Sequence, residues 1–131
     1  MGFPTNAKIL TVDDMATMRK IIKSLLAQLG YTNVDEAENG KDGLYKLKQN
    51  KYDLVLLDWN MPEMDGITLL QEIRKDPELK NIPVIMVTAE AKKENVLLAI
   101  QTGANNYIVK PFTAETLKEK MDKVWQQISG S

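Results

Sequence analysis

The sequence contains no cysteine and no histidine. Without cysteine the chain can form no disulfide, no thiolate metal site and no thiol nucleophile. Without histidine it has no imidazole base, no imidazole ligand for zinc and no residue that could become phosphohistidine. Any chemistry at a functional site must therefore use carboxylates, hydroxyls and amines.

The charge balance and the hydropathy pattern argue against two further classes of protein. Lysine and arginine total 17 against 18 aspartate and glutamate residues, so there is no general attraction to nucleic acid. No apolar run approaches the roughly 20 residues of a membrane span, and the first residues lack the features of a signal peptide. We therefore expect a cytoplasmic protein with neither nucleic acid nor membrane as a partner. Its 131 residues, free of linker-like segments, are expected to form a single domain, 1–131.

Five apolar runs alternate with five segments of helical periodicity. The predicted strands are 9–12, 32–37, 54–57, 84–88 and 107–109, of which the second is weak enough to lie at a sheet edge. Helices are predicted from Met15 to before Gly30, after Asn39-Gly40, from Ile67 to before Asp76, over about 92–102 and from Thr113 to Ile128. This alternation predicts an α/β fold, a doubly wound five-stranded parallel sheet with helices on both faces.

The helical periodicity also predicts which side chains face the core. The expected inward residues are Met15, Met18, Ile22, Leu25 and Leu29, then Leu44 and Leu47, then Ile67, Leu70 and Ile73, then Val96, Ala99 and Ile100, and last Leu117, Met121, Val124 and Ile128. The methionines of the first helix, Met15 and Met18, are therefore assigned to core packing.

Asp58 is the centre of the functional interpretation. It follows four apolar residues, 54–57, a pattern typical of a central strand that is buried on both faces. In open α/β sheets ligands bind at the carboxyl edge of the strands, where Asp58 would emerge. The side chains that the other strands place at this edge are Asp13, Asp14, Thr88 and Lys110. Taken alone, Asp58 could instead cap the turn that follows it.

Three carboxylates at one sheet edge repel one another unless a cation lies between them. If the first and third strands are neighbours, Asp13, Asp14 and Asp58 meet there. Oxygen ligands select magnesium or calcium. A site with only one or two carboxylates, and with room for water and a phosphoryl group, favours magnesium. Thr88 would supply a hydroxyl donor and Lys110 a positive charge. The set fits phosphoryl transfer to Asp58, while a metal-dependent hydrolase and a purely structural ion network remain alternatives.

Four separated segments carry a family resemblance. They are 11–14 (TVDD), 58–66 (DWNMPEMDG), 87–95 (VTAEAKKEN) and 107–112 (YIVKPF). In order and spacing, over about residues 7–128, they resemble the receiver domains of two-component response regulators, most closely single-domain CheY-like chemotaxis regulators. The resemblance implies the flavodoxin-like strand order 2-1-3-4-5. It also implies a phosphoacceptor signalling protein, not a conventional enzyme, that assists its own phosphorylation and dephosphorylation.

The resemblance implies a role for each acidic residue. Asp58 corresponds to the aspartate that a histidine kinase phosphorylates. Magnesium would be bound directly by Asp14, by Asp58 and by the backbone carbonyl of Asn60, and through water by Asp13. A haloacid-dehalogenase-like phosphatase would need a second acid two residues after the nucleophile, and Asn60 stands there instead.

Three further positions correspond to residues that respond to the phosphoryl group. Thr88 and Lys110 would contact it directly. Tyr107 would be the aromatic switch, rotating from an exposed to a buried rotamer as Thr88 moves inward. The peptide bond between Lys110 and Pro111 is expected to be cis.

The resemblance also implies partners. They are a CheA-like histidine kinase, the flagellar motor switch and a phosphatase, with the protein itself acting as a monomer. The face built from the fourth helix, fifth strand and fifth helix would dock an acidic amphipathic helix. That face would carry Lys92, Lys93, Val96, Tyr107, Lys120 and, at its rim, Lys123. The alternatives are an ordinary solvated lysine surface and a receiver of another two-component pathway, either a relay intermediate or a domain of a larger regulator.

Overall fold

A five-stranded parallel sheet forms the centre of the protein in a computed structural model that describes residues 2–89 and 91–130. The strands are β1 (Ile9–Val12), β2 (Val34–Ala37), β3 (Leu54–Leu57), β4 (Val84–Thr88) and β5 (Asn106–Val109). Their order is β2-β1-β3-β4-β5, and every neighbouring pair is parallel. The predicted doubly wound fold, its strand order and the edge position of β2 are confirmed. Glu90, part of the 87–95 segment, lies outside the described residues.

Five helices connect the strands and cover the sheet. They are α1 (Ala16–Gln28), α2 (Gly40–Gln49), α3 (Gly66–Lys75), α4 (Lys93–Thr102) and α5 (Ala114–Ser129). At the starts of α2, α3 and α5, the side chains of Asn39, Asp65 and Thr113 each accept a hydrogen bond from the amide three residues on. Among the helices of the described ranges, none is long and apolar enough to cross a membrane.

The sheet separates two apolar clusters. Leu54 and Leu56 of β3 belong to the cluster covered by α1 and α5, whereas Val55 and Leu57 belong to the cluster covered by α2, α3 and α4. All four side chains are at most 1% exposed. Successive side chains of a strand point to opposite faces, so a strand covered on both faces must be apolar at every position. The four apolar residues before Asp58 are explained by this arrangement.

Three apolar side chains that were predicted to face the core are exposed. Met15, Ile100 and Ile128 are 60%, 45% and 43% exposed. Met15 precedes the first helical residue of α1, so the helical period does not set its direction. Ala99 occupies the buried face of α4, and Ile100 is turned about 100° away from it around the helix. Ile128 lies in the last turn of α5, one turn beyond the buried Val124.

The residues before β1 contribute to the core. Phe3 is 4% exposed, and its ring centroid lies 5.1 Å from that of Trp125 on α5. The hydroxyl of Tyr31 donates a hydrogen bond of 2.7 Å to the carbonyl of Phe3. This packing extends the core to Phe3, which lies before the segment of about 7–128 that carries the family resemblance.

Candidate functional site

The pairing of β1 with β3 brings two carboxylates side by side. Val12 and Leu57 are aligned as the last residues of these strands, so Asp13 and Asp58 are the next residues of each. The amide of Asp58 donates a hydrogen bond of 2.9 Å to the carbonyl of Val12, which continues the ladder past the last strand residue. The sequence predicted an acidic cluster on the condition that the first and third strands are neighbours. The pairing of β1 with β3 meets that condition.

The acidic cluster consists of Asp13, Asp14 and Asp58. One carboxylate oxygen from each lies within 4.8 Å of the others. Asp13 and Asp58 are buried, at 1% and 6% exposure, while Asp14 is exposed. The cluster thus has two carboxylates inside the protein and a third at its open side, where a cation could enter from solvent.

Lys110 is the cation that the described structure places in this cluster. Its Nζ atom lies 2.9 Å from Asp13 Oδ2 and 3.1 Å from Asp58 Oδ1. The lysine follows β5, and its amide donates a hydrogen bond of 2.8 Å to the carbonyl of Thr88 at the end of β4. Its peptide bond to Pro111 is cis, as predicted. One ammonium group faces three carboxylates, so the cluster keeps a net negative charge.

The pKa values follow from this imbalance. Burial raises the pKa of Asp58 to about 6, and the neighbouring Asp13 charge adds to the rise, which Lys110 only partly opposes. Burial alone would lower the pKa of Lys110, but its hydrogen bond to Asp13 and the charges of Asp58 and Asp13 raise it overall. A divalent cation would supply the missing positive charge. The all-oxygen ligands, with one side open to water, fit magnesium.

The pH dependence of stability is expected to report the buried Asp58 charge. Its pKa is about 6 in the folded protein against an ordinary value of 3.8, so the folded state binds the proton more tightly. The resulting stabilisation is complete below about pH 4 and is lost as the pH rises through about 6, a change of about 3 kcal/mol. Urea denaturation with a chelator should show wild type losing nearly this amount relative to Asp58→Asn between about pH 3 and about pH 7, and about two thirds of it between about pH 4 and about pH 6. Parallel stability curves for the two proteins would contradict the assignment.

The loop after Asp58 folds back onto the end of β3. The amide of Gly66 donates a hydrogen bond of 2.8 Å to the carbonyl of Trp59. A Cβ atom on Gly66 would lie 2.2 Å from the carbonyl oxygen of Asp58 and 2.9 Å from the Cα of Trp59. Only glycine fits this close approach of two backbone segments. Asn60, whose carbonyl was predicted to bind magnesium, is an exposed residue of this loop.

Thr88 and Tyr107 lie on β4 and β5, the two strands that follow β3 in the sheet. Thr88 is fully buried at the end of β4, the strand that pairs with the one before Asp58. Tyr107 is aligned with Met86 on β5 and belongs to the same apolar cluster as Ala99 of α4. Tyr107 is 6% exposed. The structure therefore holds it in the buried position, not in the exposed position from which the predicted rotation starts.

The predicted partner face combines exposed lysines with more exposed apolar side chains than the sequence predicted. Lys92, Lys93 and Lys123 are exposed, and Val96 and Lys120 are half-buried. The face of α4 also exposes Leu97, Leu98 and Ile100, each at 44–49%. The lysines lie on α4 and α5, or just before α4, outside the ion pairs of the acidic cluster.

Two contacts of Asp13 were not predicted. The amide of Met15 donates a hydrogen bond of 2.9 Å to Asp13 Oδ1, and Arg19 Nη1 donates one of 2.6 Å to the Asp13 carbonyl. The position of Asp13 just before a helix is a signal for the Met15 contact, because aspartate side chains often accept a hydrogen bond from the amide two residues on. Arg19 resembles any polar residue of an amphipathic helix. The Arg19 contact has no comparable signal in the sequence.

Comparisons with known proteins agree on one family. The profile described as the response regulator receiver domain matches residues 9–122. Chemotaxis protein CheY-3 of Vibrio cholerae is 56% identical over 123 residues, covering 94% of this chain and 95% of that protein. Chemotaxis protein CheY of Pseudomonas aeruginosa is 52% identical, with 94% and 99% covered.

Solved structures show the same likeness. The Vibrio cholerae chemotaxis response regulator CheY4 superposes with a TM-score of 0.84 at 33% identity, over 91% of this chain and 98% of the other. The receiver domain of Francisella response regulator 1452 gives 0.84 at 32% identity, over 94% and 99%. The chain belongs to the response regulator receiver domain family.

Proposed function

We propose that this protein is a phosphorylation-activated response regulator of bacterial chemotaxis, with Asp58 as its phosphoacceptor. The observation that carries the proposal is the position of the Asp58 carboxylate, at the end of a buried central strand, beside Asp13 and 3.1 Å from Lys110. Relatives named as chemotaxis proteins, at 52–56% identity over nearly the whole chain, support chemotaxis over other two-component pathways. We further propose that residues 1–131 act as one cytoplasmic receiver domain and as a monomer.

The reaction is transfer of a phosphoryl group from a phosphohistidine of a CheA-like histidine kinase. A carboxylate oxygen of Asp58 attacks phosphorus, so an O–P bond forms while the N–P bond breaks and the imidazole nitrogen keeps its electron pair. Lys110, already within reach of this carboxylate, offsets the negative charge on the phosphoryl oxygens. Hydrolysis by water, assisted by a phosphatase, would end the signal.

Magnesium is the cofactor that the residues present would hold. Asp14, Asp58 and the carbonyl of Asn60 would bind it directly, and Asp13 would bind it through water. When bound, the ion neutralises charge on the carboxylates and the phosphoryl oxygens. The net negative charge left by three carboxylates and one lysine supports this assignment.

The signal would leave the site through Thr88. Its hydroxyl would donate a hydrogen bond to the phosphoryl group, and its movement would favour the buried position of Tyr107. Phosphorylation shifts the balance between the two states only by the difference in its interaction with each, so we expect a coupling free energy of roughly a few kcal/mol. The face of α4, β5 and α5, with its basic rim of Lys92, Lys93 and Lys120, would then bind an acidic helix of the flagellar motor switch.

Binding of a motor-switch peptide tests this function. With beryllofluoride, a phosphoryl mimic, together with magnesium, we expect affinity to rise roughly 5- to 150-fold. Thr88→Ala should lose most of the rise, because the hydroxyl that senses the phosphoryl group is missing. Lys92→Glu should weaken binding in both states, whereas Lys48→Glu on the exposed side of α2 serves as the matched charge control. Equal affinity with and without beryllofluoride would refute the proposal.

A further inference from the structure

Arg19 of α1 reaches the acidic cluster through the backbone. Its side chain is only 15% exposed. Nη1 donates a hydrogen bond of 2.6 Å to the carbonyl oxygen of Asp13, and Nε donates one of 3.0 Å to the carboxylate of Glu36. The guanidinium group therefore joins the edge strand β2 to the point where the chain leaves β1.

Glu36 is itself held in place from several directions. It is aligned with Thr11 in the parallel pairing of β1 with β2. Its carboxylate accepts a second hydrogen bond, of 3.1 Å, from Lys23, and Lys46 donates to its carbonyl oxygen. Because the anchor is fixed, Arg19 can hold the carbonyl of Asp13 in a defined direction. A planar guanidinium with separate donors suits this two-sided contact better than a lysine ammonium does.

The carbonyl that Arg19 holds belongs to the peptide group between Asp13 and Asp14. The carboxylate of Asp13 is already fixed by the Met15 amide and by Lys110, each at 2.9 Å. Fixing the following peptide plane sets the direction in which the exposed Asp14 leaves the chain. Arg19 thus completes the positioning of both acidic residues without entering the cluster.

We propose that Arg19 is a positioning residue for magnesium binding, acting through the Asp13–Asp14 peptide with Glu36 as its anchor. The inference rests on the proposed function in one respect, that the acidic cluster binds magnesium. For the loss of Arg19, the inference predicts a change in magnesium affinity opposite in sign to the change that electrostatics alone would cause. A cation near the site repels magnesium, so loss of Arg19 should tighten binding if charge alone mattered. Loss of positioning should weaken binding, because outer contacts to metal ligands are typically worth 10- to 100-fold in affinity.

Magnesium titration of Arg19→Met decides between these signs. The chain has two tryptophans, so a Trp125→Phe background leaves Trp59, next to Asp58, as the fluorescent reporter. We expect R19M to bind magnesium at least about tenfold more weakly than its parent. Glu36→Gln should also weaken binding and should add little to R19M, because both changes release the same contact. Lys23→Met removes the other cation on the Glu36 carboxylate and leaves the Arg19 contact with Asp13 in place, so its magnesium affinity should stay within about twofold of the parent.

The outcomes separate this inference from the function on which it rests. Magnesium binding by R19M as tight as the parent, or tighter, overturns the positioning role while leaving the acidic cluster intact. Absence of binding by the parent itself, or no effect of Asp58→Asn, contradicts the proposed function instead. Denaturation in a chelator shows whether R19M is folded. If it is not, Arg19→Lys decides, since it keeps the charge and loses the two-sided contact, and parent-like affinity there overturns the proposal.

Discussion

Asp58→Asn is expected to abolish phosphorylation by acetyl phosphate. The amide has nearly the same shape as the carboxylate, but it is a far poorer nucleophile and carries no charge with which to bind magnesium. The substitution keeps an oxygen that can accept the hydrogen bond from Lys110, so the fold around it should persist. Intact-protein mass spectrometry after incubation with acetyl phosphate and magnesium measures the phosphoryl adduct directly.

The matched control is Asp53, at the opposite end of β3 from Asp58. Asp53 immediately precedes β3, and its carboxylate accepts a hydrogen bond of 2.8 Å from the amide of Lys8. Asp53→Asn keeps that acceptor and should be phosphorylated at the rate of wild type. A chelator should stop phosphorylation of both wild type and the control, since the acidic cluster then lacks its cation. A normal adduct on Asp58→Asn would rule out Asp58 as the acceptor.

Gly66→Ala is expected to destabilise the fold by about 3 kcal/mol or more. The added Cβ would lie 2.2 Å from the carbonyl oxygen of Asp58, a backbone atom that cannot rotate out of the way. Relief of the clash requires the start of α3 or the end of β3 to shift, which also moves the Asp58 carboxylate. We therefore expect slower phosphorylation in addition to a lower midpoint of urea denaturation.

Gly43→Ala provides the comparison for that substitution. Gly43 lies inside α2, where an added Cβ would meet side-chain methyl groups of Leu69 and Val12 at 3.2–3.3 Å and no backbone atom at closer range. Alanine is also the better helix former, so we expect a stability within about 1 kcal/mol of wild type. If Gly66→Ala were as stable as Gly43→Ala, the close approach of the loop to Asp58 would not be what requires glycine at position 66.

Much of the candidate site could be predicted because its residues end the strands or follow them directly. A buried parallel strand needs consecutive apolar residues, and the next residue emerges at the edge of the sheet. This rule identified Asp13, Asp58, Thr88 and Lys110 from short segments of sequence. The family resemblance then supplied the strand order, which local patterns do not contain. With the order 2-1-3-4-5, the first and third strands are neighbours and the acidic cluster follows.

The sequence by itself determined the α/β class, the strand positions and the residue types available for chemistry, because these depend on local hydrophobic period and composition. Tertiary structure alone decided which groups meet across the fold. Arg19 and Glu36, far apart in the chain, hold the carbonyl of Asp13, and Phe3 packs on Trp125. Such contacts depend on distances between elements, and a helical or strand period fixes only which face a residue occupies. The tertiary contacts of a polar residue on that face, such as Arg19, are set by the packing of α1 beside β2.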